Sequence, residues 1–197
     1  MEKVKREIRI AEIRALEPTN NEQEMIVEGR AIVYDSPTVM YEIDGIKYYE
    51  VIQRGALDGA DLKDVPFKYN HSDSVMVMAR TRNKTLELIP DDQGLLVRAK
   101  LANTTAGRDL YELIRRGDID KMSFAFSVAE DSYDRDTRTR KIIKFKRIWD
   151  VSAVDTPAYS DTFIAARSYF EAQAEAERQA AEAAEEQRKR LIAKTYL

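Results

Sequence analysis

The chain has 197 residues, 44% hydrophobic and 34% charged, with a formal net charge of −3. That suits one compact domain plus an appendage, and the near balance of charge gives no general pull toward nucleic acid or acidic lipid. With no cysteine, disulfides, thiolate metal sites and a cysteine nucleophile are excluded, which fits a reducing compartment.

From Met1 to Leu16 charges alternate with Ile and Val, so there is no apolar core of a signal peptide, and no stretch approaches the roughly 20 apolar residues of a membrane span. Arg6 to Ala15 alternates as a strand until Pro18–Asn21 breaks it. Met25–Tyr34 is a second strand, with Gly29 as a bulge candidate. Val39–Ile52 is predicted as a hairpin around Asp44-Gly45. Gly55–Leu62 is a short helical or loop segment. Val65–Asn70 and Val75–Ala79 are predicted strands on either side of the turn His71-Ser72-Asp73-Ser74. Thr85–Ile89 and Leu95–Leu101 form another hairpin. A helix follows, capped by Asn103 or Thr104, with Leu110, Leu113 and Ile114 on one face and Gly117 as its stop. Lys121–Tyr133 and Ile142–Thr156 are two longer strands, the second ended by Pro157. From Ser168 to the end there are eight alanines and eleven charged residues with no Gly or Pro, a helical composition with a stripe too thin to build a core alone. This segment is expected to be dispensable to the folding of the body.

Three residues are candidates for chemistry. His71 is the only histidine. It follows an apolar strand and opens a polar turn, and its ordinary pKa near neutrality suits a general base. Ser123 lies within a strand rather than a turn. Period two puts Met122, Phe124, Phe126 and Val128 on a bulky face and Ser123, Ala125 and Ser127 on a small one. Asp150 sits inside the apolar strand Trp149-Asp150-Val151-Ser152-Ala153-Val154, where a charge needs a partner. Asp155 falls on the opposite face, so only one of the two can orient His71 from this strand. The plainer readings are a structural histidine, a strand with a polar outer face, and an ordinary ion pair. There is no GxGxxG, no GxxxxGK[ST] and no HExxH, and one His without Cys leaves a zinc site to carboxylates alone. No cofactor or metal is expected.

Taken in order, Glu28-Gly29-Arg30-Ala31, Phe67-Lys68-Tyr69-Asn70-His71, Gly107-Arg108-Asp109-Leu110-Tyr111, Met122-Ser123-Phe124-Ala125-Phe126, Trp149-Asp150-Val151-Ser152-Ala153-Val154 and Pro157-Ala158-Tyr159 resemble the prohead (capsid maturation) protease family of tailed bacteriophages, from Met25 to Arg167. The resemblance implies a mainly β (α+β) fold, a herpesvirus-protease-like β-barrel flanked by helices, with a long C-terminal helix. Together with the change of composition after Arg167, it divides the chain into a protease domain at 1–167 and a helix or tail at 168–197. It implies a serine endopeptidase that cuts scaffold or scaffold-like capsid segments, and itself, inside the immature capsid in the host cytoplasm. Residue by residue, His71 is the base, Ser123 the nucleophile and Asp150 the third member. Family members often carry Glu at that last position, and Asp is one methylene shorter. Arg108, at a helix start rich in donors, is the oxyanion-hole candidate. The implied partners are the major capsid protein and its scaffold segment, with a homo-oligomer through the barrel or the helix, and neither nucleic acid nor membrane. The competing readings are a non-catalytic capsid-assembly factor with the same barrel and an unrelated β-barrel binding protein.

Overall fold

The computed structural model describes residues 6–17, 24–155 and 159–195, and side chains only outside 159–165 and 193–195. The turn at 18–21 and the stop at Pro157 lie outside the described residues. The strands are β1 (Glu7–Glu12), β2 (Arg14–Ala15), β3 (Ile26–Val33), β4 (Thr38–Ile43), β5 (Ile46–Ile52), β6 (Pro66–Tyr69), β7 (Ala79–Arg80), β8 (Leu86–Asp91), β9 (Gly94–Lys100), β10 (Lys121–Asp134) and β11 (Thr139–Val154). Helix α1 (Thr105–Arg116) separates β9 from β10, and α2 (Tyr159–Thr195) ends the chain.

Burial alternates along β1 and much of β9, whereas β10 is buried for six residues running, and the turn residues fall where backbone sterics require them. Asp44 and Gly45 both take positive φ (51° and 77°) between β4 and β5, as a two-residue hairpin demands. Thr104 caps α1 by accepting the Gly107 amide at 3.1 Å, and Gly117 ends the helix at φ 83°. The second apolar run, Val75–Ala79, does not become a full strand. Only Ala79 and Arg80 pair, and Met76 stands 67% exposed. Apolar residues alone do not make a strand where the backbone finds no partner beyond two residues of β6.

Seven strands form one sheet, ordered β1-β10-β11-β5-β4, with β6 joined to β11 and β7 to β6; β2-β3-β9-β8 form the other. Neither sheet closes on itself among the described residues, so the barrel expected from the sequence resolves into two open sheets around one core. Val27, Ile32, Leu95 and Val97 from the smaller sheet share that core with Phe67, Met122, Phe124, Phe126 and Ile148 from the larger, and α1 adds Leu110 and Ile114. The sheets approach closely at Gly29. A Cβ there would lie 2.2 Å from the Glu12 carbonyl oxygen and 2.9 Å from Met122 Cε, so only glycine fits.

One edge of β11 takes two different parallel neighbours. Thr139–Ile142 pair with β5, and Val151–Ala153 pair with β6. The opposite edge pairs antiparallel with β10. A register shift there moves the pairing from Ala125–Asp150 to Phe126–Ile148, leaving Trp149 as an extra residue. Without that bulge, Ile148 would share a face with Asp150. With it, Ile148 enters the core while Asp150 stays on the opposite side.

Inside the larger sheet lies a buried layer of charge. Arg9 grips Glu50 with two bonds of 2.7 and 2.6 Å and Glu7 with one of 3.0 Å. Arg140 holds Glu7 through bonds of 2.7 and 3.0 Å. Burial alone would raise the Glu7 pKa, but Arg140 and Arg9 hold it below the usual carboxylate range. The Arg140 guanidinium lies 4.4 Å from the centre of the Tyr169 ring.

Helix α2 begins at Tyr159, nine residues before the Ala-rich stretch at Ser168 announces it, because helix propensity is a weak prior beside tertiary context. The division at residue 168 therefore falls inside a continuous helix. Phe170 (0% exposed) and Ala174 pack with Met40 and Tyr48 in a second cluster, which argues against a segment dispensable from Ser168 onward. Beyond Arg178 the described side chains are all exposed. Phe170→Ala should lower stability by about 3 kcal/mol, read as a fall in the denaturation midpoint. Cutting the chain after Arg178 should leave the midpoint nearly unchanged.

Candidate active site

The site is assembled from β6, β10 and β11. Tyr69, the last residue of β6, pairs with Ala153, and the Asn70 amide donates to the Ala153 carbonyl at 2.9 Å. The chain then turns sharply. The Ser72 amide donates to the Tyr69 carbonyl at 3.0 Å, and both central residues, Asn70 and His71, have positive φ (49° and 52°). This is the signature of a type I′ turn. Asn tolerates it, but His is a poorer fit, at a cost on the order of 1 kcal/mol. The turn swings the imidazole back over β11 toward β10.

On those two strands Ser123 lies opposite Ser152, and Ala125 opposite Asp150. Directly opposed residues share a face. Ser123, Asp150 and Ser152 therefore stand together, away from the core that takes Met122 and Phe124. His71 Nε2 lies 2.8 Å from Ser123 Oγ, and His71 Nδ1 meets Asp150 Oδ1. An ionised Asp150 can only accept, so Nδ1 carries the proton and Nε2 is left to accept the Ser123 O–H.

Two further residues hold this arrangement. Ser152 Oγ accepts the His71 backbone amide at 3.2 Å and donates to Asp150 Oδ1 at 3.3 Å. Arg6, just before β1, donates through Nη2 to Asp150 Oδ2. Asp150 is only 1% exposed, so its charge depends on these donors. Burial, then the charges of Arg6 and Lys68, lower the His71 pKa from 6.5 to about 4.

Of the residues singled out in the sequence, the structure brings His71, Ser123 and Asp150 together. Asp155 takes another place, accepting the Tyr69 hydroxyl at 2.6 Å. Arg108 is not brought into the cluster. It is exposed, bonded to Asn103 Oδ1 at 2.9 Å, on a helix that packs against β2 and β3. Sequence reasoning missed Ser152 and Arg6. Period two did place Ser152 on the Asp150 face, whereas nothing local marks Arg6, which is 144 residues from its partner. A cavity of about 860 Å³ between β1, β3 and β4 is lined by Arg9, Glu50 and Phe124 and lies on the other face of β10 from Ser123. Among the described residues no group of three or more His, Asp or Glu side chains is placed to hold a metal ion, and no helix is long and apolar enough to cross a membrane.

A serine hydroxyl on one imidazole nitrogen and a buried carboxylate on the other is the constellation that serine hydrolases use. Comparison with known families narrows that class. The caudovirus prohead serine protease family matches residues 10–176, and the chain belongs to it. Among solved structures, the bacteriophage T4 capsid assembly protease, gp21, is similar at 14% identity over 77% of this chain and 99% of that one, with a TM-score of 0.44. A search of curated proteins finds no match.

Ser152→Ala should leave the fold intact and slow the reaction of Ser123 with a fluorophosphonate about tenfold, the worth of one hydrogen bond to a charged group. Stopped-time labelling of the two proteins measures the ratio.

Proposed function

We propose that this chain is a serine endopeptidase that cleaves scaffold or scaffold-like segments of capsid protein, and itself, during prohead maturation inside the immature capsid. The observation that carries the reading is the 2.8 Å contact from Ser123 Oγ to His71 Nε2, with Nδ1 of the same ring on Asp150. Family membership supplies the setting.

In this reading Ser123 Oγ adds to the scissile carbonyl as its proton passes to His71 Nε2. Asp150 fixes the ring and stabilises the imidazolium. Collapse of the tetrahedral intermediate breaks the C–N bond, and His71 gives its proton to the departing amine. Water, deprotonated by the same nitrogen, then hydrolyses the acyl-enzyme and restores Ser123. The likeness to herpesvirus assembly proteases belongs to the same proposal and rests on the family resemblance, since neither sheet closes. The exposed part of α2 is the segment that places the enzyme, joins a second copy or serves as a self-cleavage substrate.

A fluorophosphonate should label the protein, and Ser123→Ala should abolish the label. Asp150→Asn should lower kcat/KM by about 10⁴-fold. Co-expression with a capsid protein carrying its scaffold segment should yield a cut product with the native chain and none with Ser123→Ala. An unlabelled native protein would instead favour a non-catalytic assembly factor.

The pH profile has a defined direction. The base must be neutral, so activity rises with pH through the His71 pKa. The free imidazole value would put that rise near 6.5. Burial moves it down toward about 4, so the acid limb of kcat/KM should lie below pH 6.5 and activity should be nearly flat through neutrality.

A further inference from the structure

Asp150 has two oxygens and three donors. Oδ1 is taken by His71 Nδ1 and the Ser152 hydroxyl, both uncharged in the resting site. Oδ2 is taken by the guanidinium of Arg6. A buried carboxylate beside a neutral imidazole is a poor arrangement without a cation. The carboxylate would draw a proton onto the ring, and an imidazolium cannot accept the Ser123 proton. A fixed positive charge on the far oxygen removes that tendency.

Arg6 is not held there by chance of rotamer. It shares the parity of Ile8 and Ile10, which pair with Ala125 and Ser123, so it sits on the site's face of the sheet. Glu7 and Arg9, of opposite parity, are locked into the buried charge layer with Glu50 and Arg140. The strand that carries Arg6 is thereby anchored from its other side.

We propose that Arg6 is a positioning residue of the site: anchored through β1, it grips Asp150 Oδ2, keeps that carboxylate turned to His71 and offsets its charge beside the imidazole. This rests on the reading of Ser123, His71 and Asp150 as the catalytic group. Around the ring, four charged groups are placed among the described residues. Arg6 from the segment before β1 and Lys68 from β6 act on it through their charge and Asp150 from β11 through its contact with Nδ1, while Asp73, in the turn after His71, acts on Lys68 and Arg6. Lys68 is paired with the exposed Asp73, which leaves Arg6 as the cation committed to Asp150. The lowering of the His71 pKa, caused by burial first and by Arg6 next, agrees with this balance.

His71 is the only histidine in the chain, so an NMR titration of ¹⁵N-labelled protein reads its imidazole without assignment. The test compares the native chain, Arg6→Gln and Arg6→Lys, with Trp149 fluorescence as the check on folding. The native midpoint should lie below 6.5. Arg6→Gln keeps a donor but loses the charge, and should raise the midpoint by about one unit or more. Arg6→Lys should bring it back near the native value, and the acid limb of kcat/KM should move in step. A native midpoint at or above 6.5 overturns the proposal even if Arg6→Gln fails to fold. An unchanged midpoint in folded Arg6→Gln overturns it too, including where activity falls, since that outcome marks a merely structural role. If the native Ser123 proves unreactive while Arg6→Gln still moves the midpoint, the protease reading fails and the Arg6 charge effect stands. If Ser123 is reactive and the midpoint stays put, the protease reading stands and the Arg6 role fails.

Discussion

A slip of one residue between β10 and β11 would turn Ser123 into the core and leave Met122 beside His71. The pairing of Ser123 with Ser152 is thus the constraint on which the site depends. It is fixed from both directions. Met122, Phe124, Val151 and Ala153 are all fully or almost fully buried on the core side, and every one of them would be displaced by a slip. The bulge at Trp149 then lets the same strand bury Ile148 without carrying Asp150 inward. β11 also sets the third participant, because its pairing with β6 places the turn that carries His71. One strand so determines the positions of His71 and Asp150, and its partner β10 carries the Ser123 hydroxyl.

The buried charge layer is the second support. Two arginines and two glutamates inside a sheet are costly to desolvate, and hydrophobic residues of similar shape would serve stability as well or better. What such a network adds is specificity of placement, since each guanidinium accepts only one geometry with its carboxylates. Here it joins β1, β5 and β11 and meets α2 through Tyr169. The first strand is thereby tied to elements more than a hundred residues later in the chain. It is the strand that leads in from Arg6, so placement of the ion layer and placement of the Asp150 counter-charge are one problem.

Much of this was legible beforehand. The hairpin at Asp44-Gly45, the Thr104 cap and the Gly117 stop carry their own local physics. The small face of Ser123, Ala125 and Ser127 could be read from period two alone. What could not be read is of a different kind. The bulge at Trp149 is a matter of register between two strands, which the pattern of either strand alone does not show. The start of α2 at Tyr159 lies ahead of the Ala-rich composition that marks the helix, and Thr162 and Ile164 are indifferent helix formers. The open sheets depend on how edges meet, and pattern is silent on that. Arg6 entered the site through a contact of long sequence separation, where no spacing rule applies, and Ser152, though its parity matches that of Asp150, meets His71 only across 81 residues. Arg108 shows the converse. Its helix start was recognised correctly, but which sheet the helix leans on decides whether its donors face the serine.

The short acid is accommodated by the same turn that strains the histidine. The family resemblance leads one to expect Glu at position 150 about as readily as Asp, and Asp reaches one methylene less far. Reach can be restored only by moving the ring toward β11. Two main-chain bonds draw it there, from Asn70 to the Ala153 carbonyl at 2.9 Å and from His71 to Ser152 Oγ at 3.2 Å. Both require the backbone at Asn70 and His71 to adopt positive φ, a conformation that a β-branched residue would resist. The left-handed turn, the Ser152 hydroxyl and the short carboxylate are therefore parts of one solution. A longer acid in the same place would press against the ring, because the backbone of His71 is already held against β11 and has little room to withdraw.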